Sequence, residues 1–546
     1  MRRRAAALCG AVVVAGCVTA APADATSPRT AASAPVAPVA PVAPVTWQKC
    51  GTKQHPTLQC GTVRVPLDHA RPSGKQITLA LTRVPHTART FQGPLLVNPG
   101  GPGGSGRMLA GFVASSLPES VAAQYDVIGF DPRGVGQSEP ALDCVPDHFA
   151  PVRPASVPAT PAVEQANLAR ARFFATSCGR KYADLLPHLT TVDAARDLDV
   201  VRRALGAPRL SYFGYSYGTY LGAVYAKLFP KRVRRMVLDS VVDPTGVWYH
   251  DNLRQDLSFD DRHRAFMAWI ARHDAVYRLG TDPARVEAKW LAMREALARK
   301  PAGGTVGAAE LEDTFIPAGY YDGYWPRLAE AFAAYANDGR AEPLVEAFQD
   351  LGAADSSSGN GYSIYTSVQC GDIAWPRDWQ RWRRDTWAVY RKAPFMAWNN
   401  TWYNAPCAFW PSSPKHRPLN VANTELPPVL LFQATGDAAT PYEGAVTLHR
   451  LLAHSSLVVE QGGGNHGVTL SGNSCLDKHL SAYLTDGTVP RGRAGAADAV
   501  CERTPEPKPE KADDKKGAAA AGSPGDPRAN GTSRGSLLHR LVGFRG

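Results

Sequence analysis

The stretch from Leu210 to Ala226, Leu-Ser-Tyr-Phe-Gly-Tyr-Ser-Tyr-Gly-Thr-Tyr-Leu-Gly-Ala-Val-Tyr-Ala, constrains the fold more than any other part of the chain. It opens as a short apolar, aromatic run, which reads as a buried strand. It then passes through Gly214-Tyr215-Ser216-Tyr217-Gly218, a G-x-S-x-G pentapeptide. Beyond that, Leu221, Val224, Tyr225 and Leu228 recur at helical spacing. Strand, sharp turn and helix in that order lift a serine hydroxyl above the end of a sheet. The glycines two residues to either side let strand and helix backbones approach closely. The helix N-terminus then points at the hydroxyl.

Around this stretch, short apolar strands alternate with helical patterns. Thr62–Pro66 and Ile77–Val84 alternate in polarity and read as an opening antiparallel pair. Strands follow at Pro94–Val97, Tyr125–Phe130, Leu210–Tyr215 and Val233–Leu238, with a helix over Asp193–Leu205. Such alternation predicts an α/β fold: a mostly parallel sheet with helices on both faces. Residues 245–426 interrupt it with helix-prone sequence holding eleven of the twelve tryptophans. So many large rings in one insertion predict a mainly helical lid with its own core. Strands resume at Val429–Gln433 and Ser456–Glu460, and an amphipathic helix follows over Leu476–Leu484. The core therefore falls into 47–244 and 427–501, with the lid between them.

The termini are of another composition. Arg2-Arg3-Arg4 followed by the apolar run Ala5–Gly16 reads as an export signal over 1–16, too short for a membrane anchor. Val14-Ala15-Gly16-Cys17 resembles a lipobox, which would make Cys17 the lipidated first residue of a surface protein; Ala23-Asp24-Ala25 is the competing cleavage site of a fully secreted one. The apolar run ends where the lipobox begins, which favours Cys17. Residues 17–46 are an Ala/Pro-rich linker of extended polyproline type. Residues 502–546 read as a disordered tail, apart from a short helix over Leu537–Phe544. The net charge is +11, of which the three leading arginines and the tail hold +6. The remainder on the body is too small and dispersed for nucleic acid. Eight cysteines lie in the body without C-x-x-C spacing, which suggests disulfides and an oxidising compartment rather than zinc. Proximity in sequence pairs them as Cys50–Cys60, Cys144–Cys178, Cys370–Cys407 and Cys475–Cys501.

A serine hydroxyl needs a base within hydrogen-bond reach, and the base needs an acid to hold its tautomer. On a sheet of this kind the order is serine, acid, histidine. Ser216 is the nucleophile. His466 follows the last core strand in Gly462-Gly-Gly-Asn-His466-Gly467, a loop free enough to bring an imidazole over the sheet. Asp437 ends the strand Val429–Gln433, at a C-terminal strand end where sites collect in open α/β sheets. Asp239 competes for the acid's role from the strand after the serine, with ordering of the lid entry as its other reading. Two N–H donors are needed for the tetrahedral intermediate. The candidates are Tyr217 and Gly101, the latter in Asn98-Pro-Gly-Gly-Pro-Gly-Gly-Ser-Gly106. That loop lacks the G-K-[ST] ending of a phosphate loop. Asp131 and Arg133 read as braces for it. No metal or organic cofactor is implied.

With these residues placed, the chain resembles the prolyl and tripeptidyl aminopeptidase family of α/β-hydrolases, most closely its secreted or cell-bound bacterial tripeptidyl branch. The marks are the loop 98–106, Gly129-Phe-Asp-Pro-Arg-Gly134, Gly214-Tyr-Ser-Tyr-Gly-Thr-Tyr220, Gly436-Asp437 with Thr440-Pro441, and His466-Gly467 with Cys475 downstream. Pro99-Gly-Gly-Pro-Gly103 stands where prolyl enzymes typically have histidine before the glycines, which points away from strict proline specificity. The resemblance implies a serine exopeptidase acting on peptides with free N-termini, with acidic lid residues holding the substrate's ammonium. Asp372 is the candidate for that role. A carboxylesterase or lipase with the same machinery is the first alternative, since acyl transfer to serine is common to both. A non-catalytic binding protein on the same scaffold is the second.

Labelled fatty acid supplied to the producing bacterium should enter the protein and be lost in Cys17→Ala. A released wild-type protein starting at Thr26 would instead establish ordinary signal cleavage.

Overall fold

Ten strands form one sheet: β1 (Gln48–Lys49), β2 (Gln59–Pro66), β3 (Gln76–Val84), β4 (Pro94–Asn98), β5 (Asp126–Phe130), β6 (Leu210–Tyr215), β7 (Val233–Asp239), β8 (Val429–Ala434), β9 (Ser455–Gln461) and β10 (Ala499–Glu502). They are seen in a computed structural model that describes residues 42–354, 358–412, 414, 418–492, 496–509 and 534–542. The strand order is β1-β2-β3-β5-β4-β6-β7-β8-β9-β10. β1, β2, β3 and β5 pair antiparallel in succession, and every pair from β5 to β10 is parallel.

The central strands are buried on both faces. Leu95 and Val97 of β4 join one apolar cluster and Leu96 the other; in β8, Leu430 and Phe432 oppose Val429 and Leu431. A side-chain period of two on strands that are apolar throughout needs cover on each side. The helices Thr191–Ala204 and Tyr217–Leu228 cover one face; Arg107–Ser116 and Ser474–Asp486 cover the other.

The lid enters after β7 and returns before β8. Its long helices include Tyr249–Arg272, Pro283–Arg299 and Trp325–Asp338. Trp269, Trp290 and Trp325 are fully buried in an apolar cluster that contains no residue of the sheet, so the insertion has a core of its own. The other tryptophans do not all belong there. Trp248, Trp375, Trp382 and Trp410 pack into the cluster that covers one face of the sheet. Lid and sheet are thereby welded together, and Val42 to the last described residue is one compact unit.

The four cysteine pairs are those expected from proximity: Cys50–Cys60, Cys144–Cys178, Cys370–Cys407 and Cys475–Cys501. Four disulfides fit an oxidising compartment. Two of the short edge strands escaped the sequence pattern. β1 is two residues long, and β10 is tied by Cys501 to the helix Ser474–Asp486. Of the tail, read as disordered apart from a short helix over Leu537–Phe544, the structure describes residues 502–509 and 534–542. Trp269 Nε1 donates to Pro507 O at 3.1 Å and Arg272 pairs with Glu506 at 2.7 Å, clipping it to the lid; residues 534–542 are helical. The signal, Cys17 and most of the linker lie outside the described residues.

Asp131 and Arg133 divide the role given to them jointly. Asp131 braces the glycine-rich loop by accepting from Ser105 Oγ at 2.5 Å. Arg133 turns away from it and meets Asp197 through Nε and Nη2, each at 2.7 Å, while donating to Leu67 O and His188 O. Both charges are almost wholly buried, at 3% and 2% exposure, so each depends on the other. Asp197→Ala should cost about 3–5 kcal/mol, because it strands the guanidinium in the interior. The urea midpoint should fall accordingly, and Arg133→Met combined with Asp197→Leu should recover most of the loss.

Candidate active site

Ser216 sits between β6 and the helix Tyr217–Leu228 with φ 55° and ψ −128°, a conformation that is strained for any residue with a side chain. Its N–H donates to Asp239 O of β7 at 3.0 Å. The crowding that holds it explains the flanking glycines. A Cβ on Gly214 would lie 2.5 Å from Gly218 O, and one on Gly218 would lie 2.7 Å from Asn98 Oδ1. Gly100, at φ +100°, is as constrained: a Cβ there would stand 2.8 Å from Ser216 Cβ and 3.0 Å from Tyr217 N. The loop after β4 is thus pressed directly onto the serine turn.

His466 and Asp437 are brought together. The imidazole Nδ1 lies 2.9 Å from Oδ2 and 3.0 Å from Oδ1 of Asp437, and both side chains are inaccessible to solvent. An ionised carboxylate only accepts, so Nδ1 carries the proton and Nε2 is the free base nitrogen. Nε2 is buried with no hydrogen-bond partner among the described residues. Asp437 is held from its other side by the N–H groups of Ala439 and Thr440, at 2.9 and 3.0 Å, and by Thr440 Oγ1 at 3.0 Å. The His466 N–H donates to Tyr320 O of the lid at 2.8 Å, and the Tyr320 ring stands edge-on to the imidazole at 5.4 Å. Thr440 belongs to the motif that includes Asp437; Tyr320 carries no sequence signal beyond lying in the lid.

Asp239 does something other than the roles read from the sequence. Its carboxylate accepts from the N–H groups of Val468 and Thr469, at 3.0 and 2.8 Å, and from Thr469 Oγ1 and Ser240 Oγ. Ser240 Oγ in turn accepts from Gly467 N at 2.7 Å. These bonds seize the backbone just after His466, so Asp239 anchors the histidine loop, neither touching the ring nor ordering the lid entry. Burial pushes its pKa up to about 6 against the pull of those donors.

Ser216, Gly101 and Tyr217 line one cavity of about 570 Å³ between sheet and lid. As the first residue of its helix, Tyr217 has an N–H without an intrahelical partner. Asp372 is not among the lining residues. It is a buried clamp: Thr191 N and Oγ1 donate to it at 2.7 and 2.6 Å and Trp248 Nε1 at 3.1 Å, and burial raises its pKa to about 6. Its commitments leave it supporting Trp248, which does line the cavity, and Tyr217, whose hydroxyl meets Thr191 Oγ1 at 2.8 Å. The carboxylates that line the cavity are Asp243, Asp251 and Glu443. Asp243 pairs with Arg254 at 2.7 Å. Asp251 has two buried oxygens that accept no hydrogen bond, with Arg254 Nη1 no closer than 3.5 Å. Burial, and then the like charge of Asp243, push its pKa up to about 8. Nothing in the sequence around Asp251 distinguishes it from a surface aspartate of a helix. The one described group with metal-ligand spacing, Cys475, His479 and Cys501, contains a disulfide, so its sulfurs are not free thiolates.

Residues 93–468 match the alpha/beta hydrolase fold. The chain belongs to the α/β-hydrolase family. Within it the chain is 45% identical over 479 residues to tripeptidyl aminopeptidase of Streptomyces lividans, covering 85% of this chain and 88% of that one. It is 34% identical over 478 residues to serine protease Hip1 of Mycobacterium tuberculosis, covering 82% and 89%. It is also 33% identical over 467 residues to carboxylesterase B of the same organism, covering 82% and 88%. These likenesses make it a serine hydrolase of the aminopeptidase type.

Two substitutions separate the neighbouring acids. Asp437→Asn should lower kcat by about 10⁴-fold, because the imidazole is left in the wrong tautomer. Asp239→Asn should lose far less in kcat and show its effect as a lower unfolding midpoint. Steady-state kinetics beside thermal melts will rank them.

Proposed function

We propose that this chain is an exported serine exopeptidase that releases short peptides, tripeptides above all, from the free N-termini of peptides and proteins. The observation that carries the reading is one cavity bounded by Ser216, by Thr440 and Tyr320 (which touch the buried Asp437–His466 pair), and by carboxylates, one of which, Asp251, accepts no hydrogen bond. Ser216 Oγ attacks the scissile carbonyl while His466 Nε2 takes its proton. Asp437 holds the tautomer and steadies the imidazolium. The N–H groups of Gly101 and Tyr217 receive the oxyanion. His466 then protonates the leaving amine, and water releases the peptide from the acyl-enzyme by the same steps.

The substrate's ammonium supplies what Asp251 lacks. A buried carboxylate without hydrogen bonds and beside a like charge favours its neutral form; an arriving cation reverses that balance and is bound by doing so. Asp251, aided by Asp243 and Glu443, therefore replaces Asp372 as the amine anchor. An ester pocket has no need of such a group. The four disulfides suit a protein that works outside the cytoplasm, and lipidation at Cys17 would hold it at the cell surface through the linker.

A matched set of amides tests this: one-, two- and three-residue substrates with free and acetylated N-termini, beside a short-chain ester. The free-amine tripeptide should be preferred. Acetylation should cost at least about 30-fold in kcat/KM, since removing one partner of a buried charge pair costs roughly 2–5 kcal/mol. Asp251→Asn should raise KM for the free-amine substrate and erase much of that ratio. Ester turnover indifferent to the amine would move the function to the esterase class.

A further inference from the structure

Beyond β10 the chain continues through residues 510–533, rich in Gly, Ala, Asp, Lys and Pro and with no large apolar side chain, to the helix Arg534–Val542. That helix is not loose on the surface. Leu538 is fully buried in the apolar cluster that holds Leu109, Phe112 and Val113 of the helix following the glycine-rich loop. The His539 imidazole is fully buried and stacks on Tyr321, with centroids 4.3 Å apart and planes 19° from parallel. A Cβ on Gly535 would lie 2.8 Å from Tyr321 Oη, so the helix backbone is pressed against that tyrosine. Arg540 and Leu541 line a second cavity, of about 670 Å³, together with Gly100, Gly101 and Gly104.

These contacts fall on one side of the catalytic machinery. Tyr321 follows Tyr320, whose carbonyl receives the His466 N–H. Burial, and then the nearness of His466, hold the His539 pKa down to about 3. The second cavity meets the first at Gly101 but does not include Ser216. In acyl transfer the leaving amine must lie beside the histidine that protonates it. The acyl part of the substrate then takes the cavity that contains Ser216, and the departing chain takes the histidine side, where this helix stands.

We infer that the helix Arg534–Val542 is a tethered plug for the leaving-group side of the cleft, and that its release raises turnover of substrates with long leaving peptides. The inference rests on the peptidase reading above. Three features suit a plug that comes and goes. A nine-residue helix has little stability alone and forms by docking. Both ring nitrogens of His539 are buried without a partner, which disfavours the docked form. The tether of 24 residues spans up to roughly 80 Å when extended, so the helix leaves without disturbing the sheet.

The test uses the full chain with a site for a specific protease placed within 517–522. After folding and cutting, kcat/KM for a tripeptide joined to a long leaving peptide should rise about tenfold, the factor expected when the docked form outnumbers the open one ten to one. A chromogenic amide with a small leaving group should gain less. The uncut variants Gly535→Val and His539→Glu should reproduce the gain. A labelled peptide covering 534–546 should bind the cut enzyme in fluorescence anisotropy, and its Gly535→Val version should not. Unchanged or reduced kcat/KM after cutting, or no binding of the peptide, would overturn the plug. Binding is read without turnover, so an enzyme that hydrolyses no peptide yet binds the segment counts against the peptidase reading and not against the docking site.

Discussion

Three backbone segments converge on Ser216, and the rest of the site depends on their fit. The end of β4, the turn after β6 and the start of the following helix come within contact distances that no β-carbon at Gly100, Gly214 or Gly218 would permit. The serine itself is held at a positive φ. Such strain persists only where the surroundings over-determine it. Here they are two fully buried neighbouring strands, a helix packed beneath, and the hydrogen bond from Ser216 N to Asp239 O. The same closeness that strains the turn sets Gly101 and Tyr217 on one cavity with the hydroxyl.

From this turn the polar framework spreads along successive strand ends. Asp239 ends β7 and Asp437 follows β8, and the two carboxylates take different parts of one loop. Asp239 holds backbone N–H groups at 468 and 469; Asp437 holds the imidazole at 466. Chemistry alone does not separate them, as both are buried aspartates at the C-terminal edge of a parallel sheet. What separates them is where the loop's side chain points once its backbone has been fixed. Positioning and orientation of the base thus rest on neighbouring residues in the sheet, an economical way to keep a histidine loop rigid.

The lid contributes differently. Its own apolar core lets it fold as a layer, while Trp248, Trp375, Trp382 and Trp410 seat it on the sheet's cover. Its contact with the machinery is narrow, through the Tyr320 carbonyl and ring. The cavity below it is lined by both layers, with Asp243 and Asp251 from the first lid helix and its approach among the lining residues. The helix Arg534–Val542 reaches the same region from the far end of the chain, against Tyr321.

Much of this was legible in the sequence because it is local. The elbow's glycines, the apolar strands that need cover on both faces, the export-type cysteines and their pairing by proximity all follow from steric and solvation rules acting over a few residues. Ser216, Asp437 and His466 could be put forward as candidates from the sequence as well, since each follows a recognisable strand in the expected order. Asp372 and Asp251 were not. An aspartate in a helix reads alike whether it clamps Thr191 and Trp248 or lines a cavity without a hydrogen bond, and only packing between elements far apart in sequence decides which. The same holds for the contacts of Asp239, of the welding tryptophans and of the helix Arg534–Val542. The sequence by itself determined the sheet, the turn and the candidate reacting groups, because backbone geometry and apolar periodicity are written locally. The tertiary structure alone decided which buried carboxylate is hydrogen-bonded and which lines the cavity without a hydrogen bond, because desolvation and hydrogen-bond satisfaction depend on neighbours that chain order does not reveal.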